Sequence, residues 1–301
     1  MPRLRQRSVA SITRLYPFYS GCGAFANSAL IQRLAGACDA TVWTKVKGGT
    51  VLAPLGDFVG RAAFYAGELD RKLTWVCSRL LGEGDVALDI GANIGMVTIL
   101  MSRLVGGSGR VHAFEPNPSL LPLLRQVIER NQLANVRLHP IALGSREDTL
   151  ELKIPATNSG AASFVRGSGA PEELIARVPV HRLADIANQE RIDRVRLIKI
   201  DVEGFEAEVF RGAREMLEGV RPDAIIFELN EAIDVPFSEF PVFQLLSSLD
   251  YSFLAIPRAL LSIRLRQFEP HTALRLIGHD FVAVARGKRH EDTLRRLRAT
   301  S

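Results

Sequence analysis

From residue 86 onward the chain alternates short apolar runs with stretches whose apolar residues recur at helical spacing, and this alternation limits the possible folds more than any other feature. Val86 to Ile90 is an apolar run closed by a glycine-rich turn, and a second apolar stretch follows from Met96 to Val105. Arg110 to Glu115 reads as the next strand. Pro118 to Asn131 sets Leu120, Leu123, Leu124, Val127 and Ile128 at helical spacing, with Asn117 as the expected N-cap and Pro122 tolerated only in the first turn. Val136 to Leu143 is a third strand. The alternation then pauses: Leu150 to Ile154 and Val178 to Leu183 read as strands around a polar loop from Asn158 to Ala170. It resumes with strands at Val195 to Asp201, Ala224 to Leu229, Tyr251 to Ile256 and Phe281 to Ala285, and with helices at Phe205 to Glu218 and Val242 to Leu249. Repeated βα units of this length predict a doubly wound α/β fold, a parallel sheet covered on both faces. Ligands bind such sheets beyond the carboxyl ends of the strands. Residues 1–80 are less regular, with a hairpin expected in Lys45 to Asp57 turning at Gly48-Gly49 and helices on either side.

Composition narrows the partners. The 301 residues are 47% hydrophobic and 24% charged, which suits one large globular domain with an extra lobe. The net charge of +5 is unevenly placed: residues 1–14 carry Arg3, Arg5, Arg7 and Arg14 without an acid, and residues 286–301 carry six basic residues against Glu291 and Asp292. The body between them is slightly acidic. A nucleic-acid partner needs a basic surface beside its site, so none is expected. Cys22, Cys38 and Cys77 stand alone and suggest neither a disulfide framework nor a zinc site. No run reaches the roughly 18 apolar residues of a transmembrane segment. The apolar region at residues 15–43 is broken by Arg33, Asp39 and several glycines, and no clear signal-peptide pattern precedes it. The expected location is cytoplasmic, with at most weak membrane-surface contact through the N-terminal region.

Three strand ends carry acids: Asp89, Glu115 and Asp201. Asp89 opens the run Asp89-Ile90-Gly91-Ala92-Asn93-Ile94-Gly95, in which glycine lets the backbone turn sharply and admits a ligand closely. A nicotinamide fingerprint would read G-x-G-x-x-G and seat a pyrophosphate on the following helix. Here the spacing is Gly91-x-x-x-Gly95 with an acid in front, which repels a pyrophosphate and suits a cation. S-adenosylmethionine has a sulfonium and an ammonium group and no phosphate. Glu115, 26 residues after Asp89, stands where a carboxylate commonly holds ribose hydroxyls. In Lys199-Ile200-Asp201-Val202-Glu203-Gly204-Phe205-Glu206 the strand brings Asp201 to the same sheet edge, while Glu206 is explained by the positive end of a helix.

The stretch Asp85 to Gly95, with Phe114-Glu115-Pro116-Asn117, Lys199 to Gly204, Arg211-Gly212-Ala213 and Ile226-Phe227-Glu228, resembles the FkbM family of methyltransferases over about residues 80–256. The resemblance implies a class I methyltransferase (Rossmann-like) sheet of seven strands, the last antiparallel. With the patterning and charge of its ends, the chain is expected to divide into an N-terminal lobe (residues 1–80), a methyltransferase domain (81–286) and a basic C-terminal tail (287–301). The resemblance also implies S-adenosylmethionine as cofactor and transfer to hydroxyl oxygens of sugars, glycans or polyketides. By position, Asp89, Gly91, Asn93 and Gly95 would hold the methionine part, Glu115 the ribose, and Asp201 would sit where cofactor and acceptor meet.

Methyl transfer from a sulfonium is an in-line displacement, and an alcohol acceptor must lose a proton to a nearby base. Asp201 is the first candidate base, with Glu203 and Glu228 next. The loop Asn158 to Ser163 either closes over the acceptor or merely connects strands, and His181 reads as structural. No metal is expected. The rival readings are a binding module that keeps the fold without turnover and a nicotinamide-dependent oxidoreductase.

Overall fold

The computed structural model describes residues 4–164, 173–229, 236–270 and 279–298. An N-terminal lobe comes first, with helices α1 (Leu4–Thr13), α2 (Cys22–Ala26) and α3 (Ala29–Ala35), hairpin strands β1 (Thr41–Val46) and β2 (Gly49–Pro54), and helix α4 (Phe58–Tyr65). The hairpin turns at Lys47-Gly48, one residue earlier than expected, because Val46 pairs with Gly49. Its core gathers Ala10, Ile31, Val42, Ala62 and Tyr65.

Helix α5 (Arg71–Leu80) leads into β3 (Val86–Ile90), α6 (Met96–Val105), β4 (Arg110–Phe114), α7 (Leu121–Arg130) and β5 (Val136–His139). Next come β6 (Ala142–Leu143), β7 (Asp148–Pro155), β8 (Glu173–His181) and α8 (Leu183–Gln189). The chain continues through β9 (Leu197–Ile200), α9 (Glu206–Gly219), β10 (Ala224–Glu228), α10 (Pro241–Ser248), β11 (Tyr251–Ile256), β12 (Arg266–Phe268), β13 (Asp280–Ala285) and α11 (His290–Arg298). The main sheet has the order β12-β11-β13-β10-β9-β3-β4-β5. Strands β5, β4, β3, β9 and β10 are mutually parallel, and β13 enters antiparallel between β10 and β11. These are the seven expected strands with the last antiparallel; the short β12 adds an eighth at the edge. From β3 the chain steps outward to β4 and β5, then returns to β9 on the other side. The point of reversal therefore lies between β3 and β9, where ligands of such sheets bind.

The alternation of side chains along each strand builds both layers. In β10, Ile225 and Phe227 join one core with Phe210 of α9 and Phe243 of α10. Ala224 and Ile226 join the opposite core with Leu80 of α5, Met101 of α6 and Leu297 of α11.

Several elements depart from the sequence expectation for local reasons. The third strand stops at His139, since Pro140 has no N–H for the ladder, and β6 peels away into a small sheet of order β6-β8-β7. Leu183 starts helix α8 instead of ending a strand, and its buried set, Leu183, Ala184, Ile186 and Ala187, has helical spacing. The cap of α7 falls at Leu120, with Pro122 in the first turn. Asn117 instead accepts the Ser119 N–H at 2.9 Å and makes a turn of its own. The polar loop expected from Asn158 to Ala170 is described only to Phe164; its remainder lies outside the described residues.

The stretch expected as a basic tail contains α11, whose Thr293, Leu294 and Leu297 are buried. The buried Arg196 guanidinium donates to Asp223 at 2.8 Å and to Thr293 Oγ1 at 3.2 Å, joining α11 to the amino ends of β9 and β10. Leu297→Ala is expected to lower the unfolding free energy in urea by about 2–4 kcal/mol. An unchanged midpoint would return this segment to the status of a peripheral tail.

Candidate active site

A cleft of about 400 Å³ opens at the carboxyl ends of β3, β4, β9 and β10 and is walled on its other side by the N-terminal lobe. Its size lies within the roughly 300–1,000 Å³ of small-molecule sites. The turn after β3 forms its floor. Gly91 has φ +82°, and its N–H donates to Phe114 O at 3.0 Å. A Cβ at Gly91 would stand 2.0 Å from the carbonyl oxygen of Asp201. The glycine thus lets the β3 and β9 turns cross. The close approach foreseen for a ligand is made first by the chain itself, and Gly91→Val would test folding before it tested binding.

Asp89 and Lys199 are direct cross-strand partners on β3 and β9. Asp89 is fully buried; Oδ2 accepts the Thr98 hydroxyl at 2.6 Å, and Oδ1 lies 3.4 Å from Lys199 Nζ. Lys199 Nζ also donates to Gly91 O at 2.7 Å and lies 3.6 Å from Asp201 Oδ2. Burial opposes the ammonium charge, but the carboxylates of Asp201 and Asp89 outweigh it and hold the Lys199 pKa above the ordinary lysine value. This places two expected cofactor residues differently from the sequence reading. Asp89 stands behind the cleft, beneath α6, and Gly95 is the N-cap of α6 with its face toward Leu124. Gly91, Asn93 and Glu115 do line the cleft.

Glu115 follows the end of β4 and is almost fully buried. Its Oε2 accepts the Asn93 N–H at 2.7 Å and its Oε1 the Asn117 N–H at 2.8 Å. Burial pushes its pKa up to about 7, against the pull of these two amides. A carboxylate has about four acceptor positions, so two further bonds remain for a ligand in the cleft.

The other side of the cleft holds Asp201, Glu203 and Glu228, all in its lining. Glu203 adopts φ +51°, and burial, then the neighbouring charges of Asp201 and Glu206, push its pKa up to about 7. Burial, then Asp201 and Asp280, push Glu228 up to about 8. Glu206, read from sequence as a helix-end acid, accepts the N–H groups of Val202 at 3.3 Å and Gly204 at 3.2 Å. Sequence reasoning missed Asp70, Lys72 and Asp280, which also line the cleft. Lys72 forms ion pairs with Asp280 and, at 3.4 Å, with Asp70. Nothing local in the sequence joins residues so far apart. Lys199 did carry a signal, as a lone charge inside the apolar run Leu197-Ile198-Lys199-Ile200.

Loop residues Asn158, Ser159, Gly160 and Ala162 close one wall. The Asp57 carboxylate fixes them: Oδ1 caps α4 through the Val59 N–H at 2.8 Å, and Oδ2 accepts the Ser159 N–H at 2.6 Å. His181 lies outside the lining, with Nδ1 3.0 Å from Glu147.

A doubly wound sheet with its reversal beside β3, a glycine turn after that strand and an acid after the next defines the class I methyltransferase (Rossmann-like) architecture. Residues 89–253 match the FkbM methyltransferase domain, more than half of the chain, and the chain belongs to that family. Among similar proteins, "Methyltransferase 1" of Beauveria bassiana is 29% identical over 142 residues, covering 42% of this chain and 57% of its own length. The 31-O-demethyl-FK506 methyltransferase FkbM of Streptomyces tacrolimicus is 28% identical over 162 residues, 45% of this chain and 62% of its own. The chain therefore spans less than two thirds of either relative. Hexuronic acid methyltransferase AglP of Haloferax volcanii is 24% identical over 206 residues, 64% of this chain and 81% of its own. A crystal structure of methyltransferase FkbM from Methylobacillus flagellatus KT aligns with TM-score 0.42 and 18% identity, covering 67% of this chain and 44% of that one.

The ion pair at the centre of the site has a measurable weight. Lys199→Met leaves the buried Asp89 carboxylate without its cation and should cost about 3–5 kcal/mol in urea unfolding. Adding Asp89→Asn should restore part of that loss. If Lys199→Met unfolds like the parent, the pair does not hold the two turns together.

Proposed function

We propose that this chain transfers a methyl group from S-adenosylmethionine to a hydroxyl oxygen of a sugar, glycan or polyketide-type acceptor. One observation carries the reading: a single cleft holds Glu115 just after β4 at one side and the acids Asp201, Glu203 and Glu228 at the other, with the glycine turn after β3 between them. Glu115 and Glu228 lie three strand spacings apart, about 14 Å at the usual interval between strands. That is room for an extended nucleoside-amino acid ligand followed by an acceptor.

The residues fit the cofactor on chemical grounds. Glu115 has acceptor capacity left for ribose hydroxyls, and the excess of carboxylates over Lys72 and Lys199 favours a cationic ligand. When bound, S-adenosylmethionine supplies an electrophilic methyl on a sulfonium. Gly91 and Asn93 would hold its methionine part through the turn backbone. Asp89 is a positioning residue in this scheme, acting through Lys199 and Thr98, and Gly95 acts by starting α6. Asp201 would accept the proton of the acceptor hydroxyl. It is the first candidate because it stands at the reversal point, its N–H donating to Ile90 O at 3.1 Å and its side chain 3.6 Å from Lys199 Nζ. Two relatives named as methyltransferases of 31-O-demethyl-FK506 and of hexuronic acid support a hydroxyl-bearing acceptor.

Glu115→Ala should weaken cofactor binding by about 1–3 kcal/mol, the worth of lost charge-assisted bonds. With the Glu115 pKa near 7, acidification protonates the acceptor of those bonds. The cofactor Kd should therefore rise as pH falls below 7, approaching a factor of about ten per unit, and Glu115→Gln should flatten the profile. Calorimetric titration measures both; a Kd independent of pH and of these substitutions would remove Glu115 from the site.

Asp201→Asn should leave cofactor affinity nearly unchanged and lower kcat by about 10²–10⁴-fold on a sugar or polyketide acceptor found by screening. Undiminished turnover would pass the role to Glu203 or Glu228. The Glu228 pKa near 8 predicts that, as base, it would give a rate that climbs through pH 8.

A further inference from the structure

Among the described residues, nine large hydrophobic side chains are exposed, and seven of them fall in two short segments. The first is the start of the chain. Leu4, Ile12 and Leu15 are 81%, 71% and 78% exposed, while Gln6, Ala10 and Thr13 face inward. At 3.6 residues per turn, Leu4 and Ile12 of α1 fall within an arc of about 80°, opposite the buried set, and Leu15 follows in the turn after the helix. Beside it α3 presents Leu30 and Leu34, with Ile31 and Ala35 turned to the core. Arg5 joins the two helices by donating to the carbonyls of Arg33 and Leu34. The second segment follows β11 and exposes Leu260 and Leu261. It is bonded to the first: Tyr19 and Ser20 donate to the carbonyls of Leu260 and Ala259, each at 2.9 Å. The Ser20 hydroxyl accepts the Ala259 N–H at 2.9 Å.

Charge is equally one-sided. No acid occurs before Asp39, and none occurs between Tyr251 and Phe268. Arg5, Arg7, Arg33, Arg258, Arg264 and Arg266 are all exposed. Exposed leucines interleaved with arginines, without acids, match a surface that is apolar just beneath a layer of negative headgroups. A second copy of this chain would offer the same positive charge and repel it. Among the described residues no helix is long and apolar enough to cross a membrane, so the contact would lie along the surface. The two segments run on into the cleft wall, at Gly21, Gly23 and Ala24 of the first and Ile256 at the head of the second.

We propose that this face docks on an anionic lipid bilayer through the exposed leucines of α1, α3 and the loop after β11. The test is co-sedimentation of the full chain with vesicles of phosphatidylcholine alone or mixed with phosphatidylglycerol. Binding is expected only to the mixed vesicles, and added salt should weaken it. Ile12→Glu with Leu261→Glu should lower the partition coefficient about tenfold or more, since each leucine sheathed by lipid is worth about that factor. Both side chains are exposed, so the melting temperature and cofactor affinity should stay those of the parent. Absent binding to mixed vesicles, or binding indifferent to the double substitution, would overturn the proposal. So would light scattering that shows a dimer dissolved by the same substitutions in a chain that ignores vesicles. Retention of duplex RNA lost with Arg7→Ser and Arg264→Ser, without vesicle binding, would also refute it.

Discussion

Lys199 carries a positive charge into a central strand whose neighbours Leu197, Ile198 and Ile200 are buried and apolar, and the surrounding atoms hold it there. Its ammonium meets Asp89 across the strand pair, the carbonyl of Gly91 and, just past the end of its own strand, Asp201. Two turns that must cross at the reversal of the sheet are thereby joined through one group, while the missing Cβ of Gly91 lets them pass. Strand order alone would bring β3 and β9 together. It would not fix the depth or direction of the turns that follow, and those determine the floor of the cleft. A buried pair is seldom a large net gain in stability; its value here is geometric, since breaking it leaves a charge stranded.

Around this centre the cleft keeps its carboxyls reluctant to ionise. Glu115, Glu203 and Glu228 all have pKa values displaced upward from 4.5, to about 7, 7 and 8, with burial the first cause in each. Between pH 4.5 and these values the folded protein binds more protons than the unfolded chain. Their contribution to stability is therefore fully present in acid and is lost as pH rises through 7 and 8. A ligand that brings positive charge relieves the repulsion that ionisation creates, so cation binding and deprotonation favour each other in this cleft.

Much of the fold could be read from residues near one another in sequence. Strands β3, β4, β9 and β10 are covered on both faces and appear as nearly unbroken apolar runs, and the acids at or just past their ends mark the carboxyl edge. What resisted reading depended on partners distant in the chain. Nothing in Asp89-Ile90-Gly91 tells that the acid pairs with a lysine 110 residues later. The Lys72–Asp280 pair unites elements from opposite ends of the sequence. Helix α11 is charged nearly all round, and only Leu294 and Leu297, three residues apart, betray its packed side. At α8 the stretch Val178 to Leu183 passes from strand to helix at His181-Arg182, while its one proline, Pro179, lies inside β8 and does not mark the change.

The double use of Asp57 links two parts of the molecule mechanically. One oxygen ends α4 and the other holds Ser159, while the Phe58 N–H donates to Thr157 O at 2.9 Å. To swing the Asn158–Ala162 wall aside, the protein must give up these bonds and leave a half-buried helix end partly uncapped. The position of that wall is thus set by the first turn of α4, and the shape of the cleft on this side is inherited from the lobe behind it.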